Sequence, residues 1–465
     1  MDALSAAVPR ILPKLDPDFR PASVWERTYR EAVAQRSDRQ ALAIACVRPD
    51  GSGSVIRSEV CTTTPADLAA ACRHAERQAK LMLWARGGNT LHVEGPASVV
   101  HHLRDAYSAD GTRAFDHGFF ARVYGGPVSV VGCAAGGLPS VAETEVKRGR
   151  HLDGCRIGFD LGGSDRKCAA VVDGQVVFSE ESPWDPYFER DPAYHLAGIE
   201  DSLSRAAAHL PRVDAIGGSS AGIYVDNEVR VASLFRGVPA SLFEDQVRPM
   251  FLRLRSKWGV PFEVANDGDV TALAGSMASG RCGILGVAMG TSLAAGYVAP
   301  TGNLTPWLSE LAFAPVDYRE NAPADEWSGD RGCGVQYFSQ QAVARLAEEA
   351  GYRFAHDLSP AVRLAIVQDK LAQGDARAAH IFETIGTYLG YAIPHWAAIY
   401  EFDNILLLGR VTSGQAGALI IEQARRVLEA EFPNLAGRIE LTTPDERSKR
   451  HGQAIAAASL PELNS

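Results

Sequence analysis

Short apolar runs alternate with longer amphipathic segments along most of this chain. Near the N-terminus, Ala41–Val47 and Ser54–Cys61 have the pattern of two strands joined by a turn at Asp50-Gly51. Thr64-Pro65-Ala66-Asp67 then combines an N-cap residue, a proline and an acid, and the helix it predicts ends at Gly87-Gly88. Strands that alternate with helices indicate an α/β fold.

The first part of the chain is predicted to be an α/β segment of its own, covering residues 1–152 and with no role indicated by its residues. The remaining elements predicted there are the strand Asn89–Glu94, the helix Ala97–Tyr107 and the strand Pro127–Cys133. The polar stretch Gly136–Gly154 is the best candidate for a linker.

From Cys155 onward the pattern changes to two successive β-β-β-α cycles. The first gives three strands, a helix over Pro192–Leu210 and a strand over Val213–Gly218, and the second begins at Ile284–Met289. Later elements of the second cycle are the strands Leu293–Val298 and Asn404–Leu408. We therefore expect a duplicated, two-lobed α/β architecture, with one lobe over 153–280 and the other over 281–465.

Composition narrows the class of protein. The 465 residues are 46% hydrophobic and 22% charged, with a net charge of -10, which argues against a nucleic-acid-binding surface. No apolar run has the length of a membrane span and no secretory signal is evident. The eight cysteines are scattered and include no Cys-x-x-Cys pair. These features predict a cytoplasmic protein with reduced thiols, no membrane or nucleic-acid partner and no structural zinc site.

Two glycine-rich turns are candidates for binding phosphate. The first, after an apolar strand, is Asp160-Leu-Gly162-Gly163-Ser164, and the second lies within Gly286–Gly296 and contains Gly290, Thr291 and Ser292. Glycine lets a backbone N–H approach a phosphate oxygen, and Asp160 is placed to hold a metal ion through water. Taken singly, each turn is better interpreted as a simple tight hairpin, and it is the two turns together, in this order, that favour phosphate binding.

An acid follows a predicted strand in Val264-Ala-Asn266-Asp267-Gly-Asp269. Asp267 could accept a proton from a ligand hydroxyl during phosphoryl transfer, and Asn266 could contact a neighbouring polar group. The alternative is that Asn266, Asp267 or Asp269 only caps the helix that begins there.

Three further segments could contact a ligand. Ser219-Ser220-Ala221-Gly222 follows a predicted central strand, where ligands of α/β sheets bind. Glu310 could bind a hydroxyl, although a surface glutamate is nearly as good an interpretation. The segment Leu406–Gly417 could lie along an adenosine, or could be an ordinary strand-to-helix turn.

The ordered motifs Asp-x-Gly-Gly-Ser, Ser-Ser-Ala-Gly, Asn-Asp-Gly-Asp, Gly-Thr-Ser and Gly-Arg-Val-Thr-Ser-Gly resemble those of the ROK family of sugar kinases and repressors. The resemblance covers about 155–460 and implies a ribonuclease-H-like, actin/hexokinase-like fold that uses ATP and Mg²⁺ to phosphorylate a sugar hydroxyl. By position it makes Asp267 the catalytic base. The expected ATP- and phosphate-binding residues are Asp160 (also Mg²⁺ through water), Gly162, Gly163, Ser164, Lys167, Gly290, Thr291, Ser292, Gly409, Arg410 and Ser413. The expected substrate-binding residues are Ser219, Ser220, Ala221, Gly222, Asn266, Asp267 and Glu310.

The chain departs from the family pattern where most members have a histidine followed by a zinc-binding cysteine cluster. Phe313 stands at the histidine position, and only Gly332-Cys333-Gly334 remains of the cluster, so no zinc is expected. His356 is expected to be a surface or core histidine with its hydrogen bonds satisfied. The family's repressors carry a helix-turn-helix at the N-terminus, a pattern that is not evident here, and its kinases are often homodimers.

The leading hypothesis is an ATP-dependent carbohydrate kinase acting on a sugar or sugar derivative. A catalytically silent sugar or nucleotide sensor on the same fold is the alternative, because the sugar-contacting motif is incomplete. A weaker third option is an ATPase that acts on a partner protein.

Overall fold

The computed structural model describes residues 8–143, 147–355, 357–444 and 452–463. His356 lies outside the described residues. The chain divides into two compact units. Unit 1 comprises Met1–Thr144, Val287–Ala295 and Trp307–Thr443, and unit 2 comprises Glu145–Gly286, Gly296–Pro306 and Pro444–Ser465.

The helices and strands are given in chain order. The first are α1 (Ala22–Ala34), β1 (Gln40–Val47), β2 (Gly53–Val60), α2 (Pro65–Arg86), β3 (Thr90–Glu94), α3 (Ala97–Ala106), α4 (Ala114–Tyr124) and β4 (Ser129–Cys133). The next are β5 (Cys155–Leu161), β6 (Asp165–Val172), β7 (Gln175–Pro183), α5 (Pro192–Ala207), β8 (Ala215–Ser220), β9 (Ile223–Val225), β10 (Glu228–Val231), α6 (Ala240–Leu242), α7 (Met250–Trp258), β11 (Phe262–Asn266), α8 (Asp267–Ser279), β12 (Ile284–Met289) and β13 (Leu293–Val298). The last are α9 (Gln340–Glu349), α10 (Pro360–Ala372), α11 (Ala376–Trp396), β14 (Asn404–Leu408), α12 (Gln415–Glu431), α13 (Pro433–Ala436), β15 (Glu440–Thr442) and α14 (Gly452–Ala458).

The strands and helices predicted in the first part of the chain are confirmed within a few residues. Strands β2-β1-β3-β4 form one mixed sheet in that order. Thr64 caps α2 by accepting a hydrogen bond from the Asp67 N–H, and the Asp67 carboxylate accepts from the Thr64 N–H. Helices α1 and α4 were not predicted. Neither has a side-chain hydrogen bond at its N-cap, so the sequence lacked the usual start signal.

Within unit 1, the first part of the chain packs against residues that lie far away in sequence. The Arg10 N–H donates to Glu431 Oε1 over 2.6 Å, and Tyr388 Oη donates to Asp16 Oδ2 over 2.6 Å. The Phe19 ring lies 4.7 Å from that of Tyr388, centroid to centroid. Residues 8–143 are therefore integrated with the later part of unit 1 by buried polar and aromatic contacts.

A buried group of charged residues, the ion-pair cluster, joins α2 and α4 to the segment before Cys333. Its members are Glu76, Arg77, Lys80, Arg113, Asp116 and Asp330. Lys80 Nζ lies 2.9 Å from Asp116 Oδ2 and 3.0 Å from Asp330 Oδ2, and Arg113 pairs with Glu76 and Asp330. Burial alone would raise the pKa of Asp330, but the charges of Lys80 and Arg113 hold it well below its usual value.

Unit 2 is built on a five-stranded sheet of order β11-β8-β5-β6-β7. Strands β5, β8 and β11 are parallel, whereas β6 and β7 continue antiparallel. The predicted succession of three strands, a helix and a further strand is confirmed. The second cycle differs from its predicted pattern, because only two strands, β12 and β13, precede irregular chain that continues to α9. The sheet β13-β12-β14-β15 completes the α/β architecture.

Helix α14 lies against two glycines on neighbouring strands of the unit 2 sheet. A Cβ atom on Gly217 would be 1.7 Å from the Ala457 carbonyl oxygen, and one on Gly158 would be 1.9 Å from that of Ala454. Gly158 and Gly217 are paired in register. This close approach of helix and sheet needs glycine at both positions.

Gly217→Ala is therefore expected to lower the free energy of unfolding by about 2–3 kcal/mol, since α14 must move away from the sheet. Urea denaturation followed by circular dichroism measures the change. Gly118→Ala is the matched control: it lies in α4, its added Cβ meets nothing within 4 Å, and alanine favours helix, so stability should not fall. Equal stabilities of the Gly217→Ala variant and the unmodified protein would contradict the close-contact argument.

Candidate functional site

Asp160 is placed by strand register near the end of β5. It is paired with Ser219 on β8 and Lys167 on β6, and it is only 7% exposed. Ser219 Oγ donates to Asp160 Oδ1 over 2.7 Å. Gln453 Nε2 donates to Asp160 Oδ1 and to Ser219 Oγ, each over 3.1 Å. Gln453 belongs to α14 and was not anticipated from the sequence.

The pKa of Asp160 is raised to about 6, chiefly by burial; the Ser219 hydrogen bond opposes this shift and the nearby Asp267 carboxyl adds to it. Lys167, whose Nζ lies 3.2 Å from Asp165 Oδ1, has its pKa lowered by burial but raised overall by the Asp160 and Asp165 carboxylates. The Asp267 carboxyl thus acts electrostatically on Asp160.

The surroundings of Asp160 fit a carboxylate that holds a hydrated cation. Both of its hydrogen bonds go to Oδ1, and none from the described residues reaches Oδ2. A cation nearby would also offset the cost of ionising this buried acid. Over the described ranges, no cluster of three or more histidine, cysteine, aspartate or glutamate side chains is arranged to hold a metal ion by itself.

Asn266 caps helix α8, which is one of the roles considered above for the Asn-Asp-Gly-Asp motif. Asn266 Oδ1 accepts from the Gly268 N–H over 2.7 Å, and its Nδ2 donates to the Gly222 carbonyl over 2.7 Å. Asp267 is not needed as the cap. Its carboxyl receives only backbone hydrogen bonds, including one from the Gly268 N–H at 3.0 Å, and is partly exposed. Desolvation raises the pKa of Asp267 above its usual value.

Asp269, the third polar residue of the motif, has a separate role. Its Oδ1 accepts from the Tyr297 N–H over 3.1 Å. Burial raises the pKa of Asp269 to about 7, a shift that the Tyr297 hydrogen bond partly opposes. Asp269 therefore joins α8 to β13 and was not among the residues expected to bind a ligand.

The loop after β8 lies beside Asn266, but its serines face inward. The Ser219 and Ser220 side chains are fully buried, and Tyr224 Oη donates to Ser220 Oγ over 2.6 Å and to the Ala221 carbonyl over 3.2 Å. Gly222 has a φ of +133°. The structure thus joins Gly222 to Asn266 by a hydrogen bond, while Ser219 supports Asp160.

The first glycine-rich turn is held by aromatic residues that the sequence did not single out. The Gly162 N–H donates to the Asp165 carbonyl over 2.9 Å, and Trp184 Nε1 donates to the Gly162 carbonyl over 2.7 Å. A Cβ on Gly163 would lie 2.0 Å from Tyr187 Oη. Ser164 Oγ donates to Asp165 Oδ2 over 2.9 Å. The turn is therefore tight and well fixed.

In unit 1, the second glycine-rich turn lies next to Gly409. The Gly290 N–H donates to the Ser292 carbonyl over 2.9 Å, and the Gly290 carbonyl accepts from the Gln340 N–H at the start of α9 over 2.9 Å. Thr291 and Ser292 are exposed. Gly409 has a φ of +89°, and a Cβ there would be 2.4 Å from the Met289 carbonyl oxygen. The close contact requires glycine and joins the two predicted nucleotide-binding segments.

The remaining predicted residues also lie in unit 1. Arg410 and Ser413 are exposed, and the Arg410 carbonyl accepts from Gln368 Nε2 over 2.7 Å. The Glu310 N–H donates to the Trp84 carbonyl over 2.9 Å. Phe313, at the position of the family's histidine, packs on Trp84 with the ring centroids 4.4 Å apart.

The fold of this chain is similar to that of proteins whose structures have been solved. A ROK hexokinase from Thermus thermophilus has a TM-score of 0.52 and 20% identity, and the match covers 66% of this chain and 97% of the hexokinase. The chain has the fold of the ROK kinases. A putative sugar kinase from Cytophaga hutchinsonii matches with a TM-score of 0.51 and 17% identity over 66% of this chain and 98% of that one.

A ROK family transcriptional regulator, described as a homologue of the E. coli MLC protein, has a similar TM-score of 0.51 and 18% identity. The match covers 78% of this chain and 88% of the regulator. No family model and no curated protein sequence matches the chain. The predicted actin/hexokinase-like fold is thus confirmed, and the ROK fold neighbours include both kinases and a regulator. None of the described helices is long and apolar enough to cross a membrane.

Proposed function

We propose that this protein is a divergent ROK family kinase that transfers the γ-phosphoryl group of ATP to a hydroxyl of a sugar or sugar derivative. The observation that carries this proposal is the Asp267 carboxyl. It is partly exposed at the start of α8, Asn266 already performs the capping, and its pKa is raised. A carboxylate in this setting is suited to accept a proton from a bound hydroxyl.

In the proposed reaction, Asp267 orients the substrate hydroxyl and accepts its proton as the oxygen bonds to the γ-phosphorus and the bond to ADP breaks. Asn266, held against Gly222, would contact a neighbouring hydroxyl. The turns Gly162–Ser164 and Gly290–Ser292 would bind phosphate oxygens, and the segment after β14 would bind the adenosine. When Mg²⁺ is bound through water at Asp160, it supplies charge neutralisation at the phosphates.

The alternative function is a catalytically silent sensor of a sugar or nucleotide. The regulator among the fold neighbours and the phenylalanine at position 313 favour it. The retained Asn266-Asp267 pair favours the kinase, since a sensor has no need of a base. From the composition and charge we expect a cytoplasmic protein without nucleic-acid partners, and from the family resemblance we expect a homodimer.

ADP release from ATP and Mg²⁺ should be measured across hexoses, amino sugars, acylated sugars and polyols. Release that depends on one class of sugar supports the kinase and identifies its substrate class. Tight nucleotide binding with no release for any sugar supports the sensor, and release that requires no sugar supports the protein-directed ATPase.

The pH dependence of kcat/KM tests the base directly. The base and the carboxylate proposed to hold Mg²⁺ must both be ionised, so we expect kcat/KM to fall as the pH drops through the raised pKa values of Asp267 and Asp160, the latter about 6. A profile that stays flat between about pH 5 and 8 is inconsistent with this mechanism.

A further inference from the structure

Unit 1 contains a cavity of about 280 Å³ that the proposed kinase chemistry does not use. It lies between the first part of the chain, which contributes α1, β2 and α2, and the end of α11. Its size suits a small metabolite. None of the residues assigned above to ATP, the sugar or Mg²⁺ lines it.

The floor of the cavity is polar. His74 Nδ1 lies 2.7 Å from Glu26 Oε2 and its Nε2 lies 3.0 Å from Ser58 Oγ. Tyr318 Oη donates to Glu26 Oε1 over 3.2 Å. Burial alone would raise the pKa of Glu26, but the facing His74 ring more than compensates and lowers it. The only lining acid is thus already paired, and its two oxygens are occupied by protein groups.

One polar atom of the floor has no partner. His395 is 4% exposed and lines the cavity, and its Nε2 forms no hydrogen bond with any described residue. Buried polar atoms nearly always have a partner, and an unpaired one at a cavity wall indicates a group that a ligand can satisfy.

Three arginines add positive charge to the cavity, and two of them are unbalanced. Arg27 is neutralised by Glu431, whose Oε2 lies 2.8 Å from Arg27 Nη2. Arg30 donates its Nε–H to the Glu26 carbonyl over 3.2 Å, which leaves its terminal nitrogens available. Over the described ranges, neither Arg30 nor Arg57 forms an ion pair, and both are exposed.

We infer that this cavity binds a small organic phosphate. A phosphate monoester carries about −1.5 to −2 charges at neutral pH, which matches the two unpaired guanidinium groups, and guanidinium is the side chain best suited to phosphate oxygens. The phosphoryl group is bound by Arg30 and Arg57, and the hydroxyl-bearing remainder points to His395 and Ser58. This is a second ligand site, separate in its residues from the proposed kinase site.

Isothermal titration calorimetry on the full chain tests the inference, with glycerol 3-phosphate, inorganic phosphate, citrate and glycerol as probes. A saturating non-hydrolysable ATP analogue is included to occupy the proposed nucleotide site. We expect saturable binding of glycerol 3-phosphate, weaker binding of inorganic phosphate and none of glycerol. The double variant Arg30→Gln/Arg57→Gln should bind glycerol 3-phosphate at least ten-fold more weakly, and His395→Gln should weaken it by a smaller factor.

Matched controls separate the cavity from general charge and from the kinase site. Arg104→Gln/Arg122→Gln removes two exposed charges of unit 1 that do not line the cavity, and Asp267→Asn alters the proposed base. Both should bind glycerol 3-phosphate as the unmodified protein does. Equal affinity in the Arg30→Gln/Arg57→Gln variant, or no binding of glycerol 3-phosphate by the unmodified protein, overturns the inference. Citrate bound as tightly as glycerol 3-phosphate overturns the assignment to phosphate.

Discussion

Replacement of Asp267 by asparagine is expected to lower kcat for sugar-dependent ADP release by about 10³-fold or more, with the affinity for an ATP analogue nearly unchanged. The asparagine side chain can still accept the Gly268 N–H bond that Asp267 accepts at 3.0 Å, so the turn is kept. It cannot accept a proton. General-base catalysis is worth roughly 10²–10⁴ in rate, and orientation of the hydroxyl adds to it.

The same substitution should not destabilise the protein. Because desolvation raises the pKa of Asp267, the ionised carboxylate is a cost to the folded state at neutral pH, and a neutral amide removes that cost. We expect an unchanged or higher melting temperature. Loss of activity together with a lower melting temperature would point to a structural role for Asp267 instead.

Asp269→Asn is the matched control for this experiment. It makes the same chemical change two residues further along α8. The pKa of Asp269 is likewise raised, to about 7, chiefly by burial. Asparagine can still accept the Tyr297 N–H bond. Activity should stay within about three-fold of the unmodified protein, since the proposed mechanism gives Asp269 no proton to move. If both variants lose activity equally, the assignment of the base to Asp267 is wrong.

Asp330→Asn is expected to lower the free energy of unfolding by about 3–5 kcal/mol. The substitution removes one of the two anionic partners of Lys80 and one of the two of Arg113. The side chains of these two residues are only 1% and 9% exposed. Removal of one member of a buried ion pair costs this much because the remaining charge cannot be solvated. Urea denaturation at neutral pH, monitored by near-ultraviolet circular dichroism, measures the loss.

An ion pair on the surface provides the control for Asp330→Asn. Glu422 pairs with Arg426 along α12, and their side chains are 60% and 59% exposed. Glu422→Gln should change the free energy of unfolding by less than about 0.5 kcal/mol. A fall of less than about 1 kcal/mol in the free energy of unfolding for Asp330→Asn would show that water reaches the ion-pair cluster. The cluster would then not be what fixes the segment before Cys333.

Local features of this protein could be predicted from its sequence. The α2 capping box follows from Thr64 and Asp67, and the β5–turn–β6 unit follows from an apolar run before two glycines. The position of Asp267 at the start of α8 was likewise evident from a strand that ends in Asn266-Asp267. In each case the determining residues are neighbours in sequence, so propensity and periodicity are enough.

Contacts between distant segments could not be predicted. Gln453 reaches Asp160 across 293 positions, and no local pattern relates a glutamine on α14 to an aspartate on β5. The inward orientation of Ser219 and Ser220 depends in the same way on Asp160 and Tyr224. Helix α1 was missed because Pro21 precedes it without a side-chain cap, and its burial depends on the later helix α11.

Residues 8–143 pack against the later part of unit 1, and this affects how the chain folds while it is being synthesised. Arg10 and its partner Glu431 are 421 positions apart, so at a translation rate of roughly 5–20 residues per second the first emerges from the ribosome about 20–80 s before the second. Until the later residues are synthesised, the apolar face of α1 lacks helix α11, and Lys80 and Arg113 lack Asp330, although their nearer partners Asp116 and Glu76 are already present. We therefore expect the nascent N-terminal segment to need protection from aggregation until the later part of unit 1 is synthesised.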